Sequence, residues 1–483
     1  MPIPRLPQEL IDHIIDAVAD ETPSEETLRS CTLTCRSWTP RARSHLFSTV
    51  TLMEPPTVLA FANLVLSTPR VGSDSPLELL PTLGTLVRHL RLGVPMTLQQ
   101  KRKRRGYGFG FYTMADIPVC GLPRLQTLSI ADIPDVRFYS TSMLCLRDDF
   151  RSVRKLYLHR GLLAPETLAG LLSGFPQLLS LRLQYDDCPR DRLGIRLLGD
   201  SPPSVSLPFS LRDLALGLPD PALVEWLVEH GGLAAEQLTS LAISFQPLDD
   251  LRPLQSMLHH VGKTLTDLTI GYVDPPYVLP LGLERWDRTH FVRTTFELFE
   301  ASPLRENTSL RTLRIEGCEP IERSYPSTQD LHSWIPKMLE QVRSERIEEI
   351  TFAFRSLRQR DSPMLSWIDW RTIGALLETP PLNQVRHVAI EVQQSEIPRH
   401  ELYRRVAALL PLVALRDALR VRCIVVLPED AWDTAPPREP RYMTVLDCVE
   451  EAIAPLQQET TASFEDYEWH QKEWDSIRSA NEW

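Results

Sequence analysis

A few short stretches of this chain carry residue types that could do chemistry. Gly262-Lys263-Thr264 matches the end of a phosphate-binding loop, in which backbone amides and the lysine cradle phosphate oxygens. The first glycine of such a loop belongs at position 257, where Met257 stands, and a helix rather than a strand precedes it. The tripeptide therefore reads as a helix stop followed by a strand. His259-His260 beside it has no third ligand at metal spacing and reads as a solvated helix end. Lys101-Arg102-Lys103-Arg104-Arg105 is the one strong basic run. The stretch after it, Gly106-Tyr107-Gly108-Phe109-Gly110-Phe111-Tyr112, nearly spells the aromatic motif on which RNA bases stack. Gly110 takes the aliphatic position, however, and no matching first motif lies on a strand upstream. A solvated loop is the expectation there, with nuclear targeting as the alternative. Neither Gly-x-Ser-x-Gly nor His-Glu-x-x-His occurs, and no cysteine–histidine pattern suggests a thiol catalyst. The expectation is a protein that is not an enzyme and needs no cofactor and no metal.

The chain's 483 residues can hold several ordinary domains or one long repeat array. A hydrophobic fraction of 43% with 24% charged residues is that of a folded protein. The formal net charge of −11 argues against a general binder of nucleic acid or anionic membrane. Eight scattered cysteines with no Cys-x-x-Cys read as reduced thiols, which suits the cytoplasm or the nucleus. There Asn307-Thr308-Ser309, formally a glycosylation sequon, stays silent. The longest apolar run, Val406 to Leu415, contains Pro411 and is far short of the roughly 20 residues that span a bilayer.

What must position any site is a repeat. One phrase recurs: apolar, two variable, apolar, one variable, apolar. It runs from Val87-Leu90-Leu92 through Leu156-Leu158, Leu181-Leu183 and Leu313-Ile315 to Val385-Val388-Ile390, ten copies at steps of 25 to 45 residues. Phe47-Val50-Leu52 is a further copy at the start, and the stretch around Val421 to Val426 a last strand. The phrase is a short strand with its apolar pair on one face and the residue between them on the other. Helical stretches with clear punctuation lie between copies: Pro165 to Leu172, Asp220 to Gly231, Asp249 to His260, Gln329 to Val342 and His400 to Leu419. One parallel strand and one helix per repeat make an α/β solenoid. A doubly wound nucleotide-binding sheet is the competing α/β architecture, but no Gly-x-Gly-x-x-Gly follows any strand. The stretch from Glu459 onward is acidic and aromatic, with Trp469, Trp474 and Trp483. It reads as an amphipathic cap on the open end, with a docking tail as the alternative.

The first fifty residues differ from the rest. Apolar side chains at 10, 11, 14, 15 and 18 form a helical stripe, and Pro7 sits where a first turn tolerates proline. Thr22-Pro23-Ser24-Glu25 and Thr39-Pro40 each signal a further helix start. Three helices this short cannot bury a large core alone. The Leu6-Pro7-Gln8-Glu9-Leu10 opening and the Cys35-Arg36-Ser37-Trp38 closing, in that order, resemble an F-box. The repeats resemble the leucine-rich-repeat family, with the turn residue of that family clear only at Cys318 and suggested at Cys188.

The whole is similar to fungal F-box proteins with a leucine-rich-repeat-like array. The resemblance implies residues 1–50 as an adaptor-binding F-box, 51–428 as the solenoid and 429–483 as a C-terminal cap and tail. It implies a substrate-recognition subunit of an SCF-type cullin–RING ubiquitin ligase, binding a Skp-type adaptor and an unidentified protein target, without nucleic acid or membrane. Carried over by residue, the adaptor contacts are Leu6, Pro7, Leu10, Ile11, Ile14, Ile15, Leu28, Cys31, Leu33, Cys35 and Trp38. The link from Asp20 to Glu26 is longer than usual for that family. The alternative is a leucine-rich-repeat scaffold unrelated to ubiquitination, whose N-terminal helices only cap the array. For the target, the residues between the apolar pairs should face the concave side, Arg91, Ser129, Tyr157, Arg182, Ala215, Ala242, Thr269, Arg314, Thr351 and Ala389. Tyr157, His159, Arg182 and Gln184 form the expected patch.

Overall fold

The computed structural model describes residues 6–21, 25–52, 83–92, 122–131, 151–159, 165–184, 211–217, 221–229, 236–245, 252–272, 304–318, 332–357, 368–395, 399–410 and 418–423, with 57, 60, 61, 63–65 and 233. The basic run at 101–105, the aromatic stretch to 112, Cys188 and the region from 429 on lie outside them. Two compact units divide at Leu310 and Arg311.

The first unit opens with α1 (Gln8–Glu21), α2 (Glu25–Thr34) and α3 (Thr39–Leu46). Strands β1 (Thr49–Leu52), β2 (His89–Leu92), β3 (Thr127–Ala131), β4 (Lys155–His159), β5 (Ser180–Gln184), β6 (Asp213–Gly217), β7 (Ser240–Phe245) and β8 (Asp267–Tyr272) follow. Each pairs in parallel with the next in chain order, and the repeated phrase sets the register. Leu90, Leu128, Leu156, Leu181, Leu214, Leu241 and Leu268 stand opposite one another, all at 1% exposure or less. Helices α4 (Leu83–Leu86), α5 (Pro165–Leu172), α6 (Pro221–Glu229) and α7 (Arg252–His260) fill connections between strands and add Leu168, Trp226 and Met257 to the core.

The entries to β2 through β8 are locked the same way. Two successive amides donate to one carbonyl of the previous repeat: Arg88 and His89 to Ser48, Gln126 and Thr127 to Arg88, Arg154 and Lys155 to Gln126, and so on to Thr266 and Asp267 on Thr239. The hydroxyl of Thr266 adds a third donor to that last carbonyl at 3.0 Å. Every repeat thus satisfies backbone groups of its neighbour, which a lone repeat could not do.

The second unit holds β9 (Thr312–Glu316), β10 (Glu349–Leu357), β11 (His387–Ser395) and β12 (Leu419–Cys423), again parallel and in chain order. Its helices are α8 (Trp334–Leu339), α9 (Trp370–Leu376) and α10 (Arg399–Leu409). Trp370 packs edge-on to Phe352 at 5.1 Å between ring centres. The architecture is therefore α/β, with parallel strands in chain order and interleaved helices. Two helix ends differ from expectation. The helix expected to run to Val342 ends at Leu339, and α10 stops at Leu409, two residues before Pro411, while Leu419 begins a strand. A proline disfavours helical geometry at the residue before it, which explains the second stop. Helix α9 was not foreseen. Its start is capped by Asp369, which accepts from the Thr372 amide at 3.0 Å and its hydroxyl at 2.6 Å.

Buried turn residues close the repeats. Gly262 ends α7 so tightly that an added Cβ would lie 2.7 Å from Glu306 Cβ. Asn307, 1% exposed, donates to the carbonyls of Gly262 at 3.1 Å and Leu258 at 3.4 Å, capping the end of α7. It is inaccessible as a sequon. Cys318 is buried after β9 and donates to the Ile315 carbonyl at 3.6 Å, the turn role its position suggested. Nε2 of His260, at the end of α7, lies 3.0 Å from the Leu233 carbonyl.

Candidate functional site

In the N-terminal module the apolar residues of α1 serve two different surfaces. Ile11 and Ile15 point inward and form a small core with Leu28 and Cys31 of α2 and Ala42 of α3, with Val18, Ala19, Trp38 and Leu46 packed around it. Leu10 and Ile14 lie about 100° around the helix from that pair and point to solvent. With Leu6 before the helix they make an outward stripe, 55%, 50% and 43% exposed. Leu33 on α2 is 86% exposed. Among the described residues the only other large apolar side chains so exposed are Leu64 and Leu409.

The stripe is held on a fixed frame. The Pro7 carbonyl accepts from the amides of Leu10 and Ile11 at 3.2 Å, so Pro7 sits just before the first helical residue. The Gln8 amide donates to Asp12 at 2.8 Å and to the Ser37 carbonyl at 3.0 Å, tying the Leu6-Pro7 opening to the α2–α3 turn. The Thr39 hydroxyl donates to the Thr32 carbonyl at 3.0 Å and caps the end of α2. Asp16 clasps α1 to α3. Its carboxylate receives Nε and Nη2 of Arg41, both at 2.6 Å, and lies 2.7 Å from His45 Nε2. The Arg41 hydrogen bonds, and then His45, draw the Asp16 carboxyl down to about 2 against partial burial. The exposed Cys35 thiol lies 3.0 Å from the Ser37 hydroxyl, whose hydrogen bond draws it below the ordinary thiol range.

The eleven expected adaptor contacts therefore divide. Leu6, Pro7, Leu10, Ile14, Leu33 and Cys35 are exposed, and Trp38 is half-buried. Ile11, Ile15, Leu28 and Cys31 are at 8% exposure or less, so they carry the surface rather than belong to it. Sequence reasoning missed the Asp16–Arg41–His45 clasp. Its partners are 25 and 29 residues apart, beyond any local pattern.

The expected target patch also divides. Tyr157 and Arg182 are register neighbours on the sheet face opposite the leucine ladders, and both reach solvent. Burial pushes the Tyr157 hydroxyl up, with Arg182 opposing. His159 is only 5% exposed, and its Nδ1 lies 3.2 Å from Gln184 Oε1. That pair is an internal contact and His159 is not a surface anchor. Gly217, next along the row, leaves room for Gln184, whose Cγ would lie 3.3 Å from a Cβ there. In the second unit two of the corresponding residues are covered: Thr351 is 4% exposed and Ala389 fully buried. Arg314 on β9 reaches Glu391 on β11 across the small Ala353 of β10, and also pairs with Glu316 at 2.9 Å. Those three side chains form a network, not an open surface.

No protein-family model matches the chain, and no curated protein matches it. Among solved structures it is similar to a chain of the yeast Rad7–Elc1 complex, with 12% identity, 80% of each chain covered and a TM-score of 0.31. It is also similar to the leucine-rich-repeat-containing protein LegL7 from Legionella pneumophila, with 12% identity, 62% of this chain and 83% of that chain covered and a TM-score of 0.33. The repeat architecture rests on the strand register itself.

Proposed function

We propose that the chain is a substrate-recognition subunit of an SCF-type cullin–RING ubiquitin ligase, working in the cytoplasm or nucleus. The N-terminal module would dock a Skp-type adaptor, the repeats would hold a protein target, and the chain itself would do no chemistry. One observation carries this reading: Leu6, Leu10 and Ile14 stay exposed although the module's own core is already filled by Ile11, Ile15, Leu28, Cys31 and Ala42. A helix that merely covers an end of a repeat array would show polar side chains there. A clustered apolar stripe on a rigid helix is a surface for a partner helix. The test is co-purification of the purified chain with a Skp-type adaptor, with Ile14→Asp as the diagnostic variant. Retained adaptor binding by that variant would remove the F-box assignment.

A repeat scaffold whose helices only cap the array is the second reading. It is favoured by the direct splice of the module into the repeats, since the Ser48 carbonyl, just past α3, takes the Arg88 and His89 amides at 2.9 Å. On that reading Ile14→Asp would unsettle the fold rather than an interaction.

A further inference from the structure

The exposed face of the first unit's sheet is electrically divided along the strand order. Two rows run across it. One aligns Arg91, Ser129, Tyr157 and Arg182 with Ala215, Ala242 and Thr269; the other aligns Lys155 and Ser180 with Asp213, Ser240 and Asp267. All the lysine and arginine of these rows lie on β2 to β5, and both aspartates lie on β6 and β8. Beyond Arg182 the first row drops to small side chains, so the surface is low there. His89, on β2, is held below its ordinary value by burial and then by Arg91, Lys155 and Arg88. Asp213 is pushed up by burial, opposed by Lys155, reinforced by Asp267 and opposed again by the neighbouring Arg212.

We propose that this face takes an extended segment of a partner protein, its acidic half over Arg91, Lys155 and Arg182 and its basic half over Asp213 and Asp267. Six spacings of about 4.8 Å separate β2 from β8, about 29 Å, which about nine extended residues span. Tyr157, between the three basic residues, offers a flat apolar body with a hydroxyl, a side chain type common among interface anchors. Ala215 and Ala242 let the segment's backbone come close to the sheet. A nucleic acid fits less well, because a polyanion longer than the basic half would run onto the two aspartates, and the whole chain is already at −11.

The inference rests on the reading of the repeats as the target-holding part, and it is tested on the full chain without adaptor. The probe is a fluorescent peptide of about ten residues, four glutamates, a Gly-Ser link and four lysines, followed by anisotropy at physiological salt. The expected result is saturable binding that falls about tenfold or more with Lys155→Glu plus Arg182→Glu. Lys155→Gln plus Arg182→Gln, a milder pair at the same exposed sites, should weaken it in the same direction. No binding by the unaltered chain, binding by both pairs of variants as tight as that of the unaltered chain, or tighter binding of an oligothymidylate of similar length would each overturn the proposal. Adaptor binding on the same preparations separates this from the ligase reading: Ile14→Asp should lose the adaptor and keep the peptide.

Discussion

Replacing Leu10 and Ile14 together by alanine probes the outward stripe without touching the core. Burying a whole leucine or isoleucine side chain contributes about 1.5–3 kcal/mol. With 50% and 43% of these residues still exposed, roughly half of that remains to be gained on docking. Losing it at both positions should cost about 2 kcal/mol, or about 30-fold in Kd. Ile14→Asp adds the cost of burying an unpaired carboxylate and should abolish binding. Stability should hardly move, within about 0.5 kcal/mol, because neither side chain fills the core. Ile15→Ala is the opposite control. That residue is 0% exposed, so its truncation should destabilise the chain by about 2–5 kcal/mol. The assays are titration calorimetry with purified adaptor and denaturant unfolding of each variant. An unchanged Kd for the double variant, or a stability loss as large as that of Ile15→Ala, would refute the division of α1 into inward and outward faces.

Three further outcomes follow from the geometry. Asp16 has a folded value of about 2 against 3.8, so its clasp stabilises fully above about pH 4 and is lost as pH falls from there through about 2. Discounted for solvent, Asp16→Asn should cost about 1 kcal/mol at pH 7, with the gap to the unaltered chain narrowing below about pH 4 and closing only below about pH 2; a gap independent of pH would contradict the clasp. Gly262→Ala should destabilise by about 1–3 kcal/mol through its clash with Glu306, and an unchanged unfolding midpoint would show that the turn can yield. Asn307→Ala leaves the Leu258 and Gly262 carbonyls short of a donor and should cost about 1–3 kcal/mol by the same measurement; no loss would mean that those carbonyls find other donors.

The strands were legible because their signal is local and repeated. A leucine pair around one variable residue has period two, and seven successive copies align it in register without a gap. Helix ends were less legible, since apolar spacing runs on past them, as it did from Leu409 toward Leu419. Helix α9 hid behind a cap, Asp369 with Thr372, that is ordinary loop composition until the geometry is known. On α1 the apolar residues at 10, 11, 14 and 15 were visible as a set. Which pair faces inward depends on where α2 and α3 pack, and the sequence does not record that. The burial of Thr351, Ala389 and His159 was hidden for the same reason: alternation says which face a side chain takes, not what covers that face.

The central claim is that the stripe of α1 touches an adaptor. Its most direct test is site-specific photo-crosslinking, with a photoreactive amino acid placed in turn at positions 10, 14 and 33, at the buried position 15, and at the exposed Arg182. With purified Skp-type adaptor present, the account predicts covalent adduct from positions 10, 14 and 33 and none from 182, while the variant at 15 should fail to fold stably. Equal crosslinking from 182, or none from 10 and 14 with the chain folded, would contradict it.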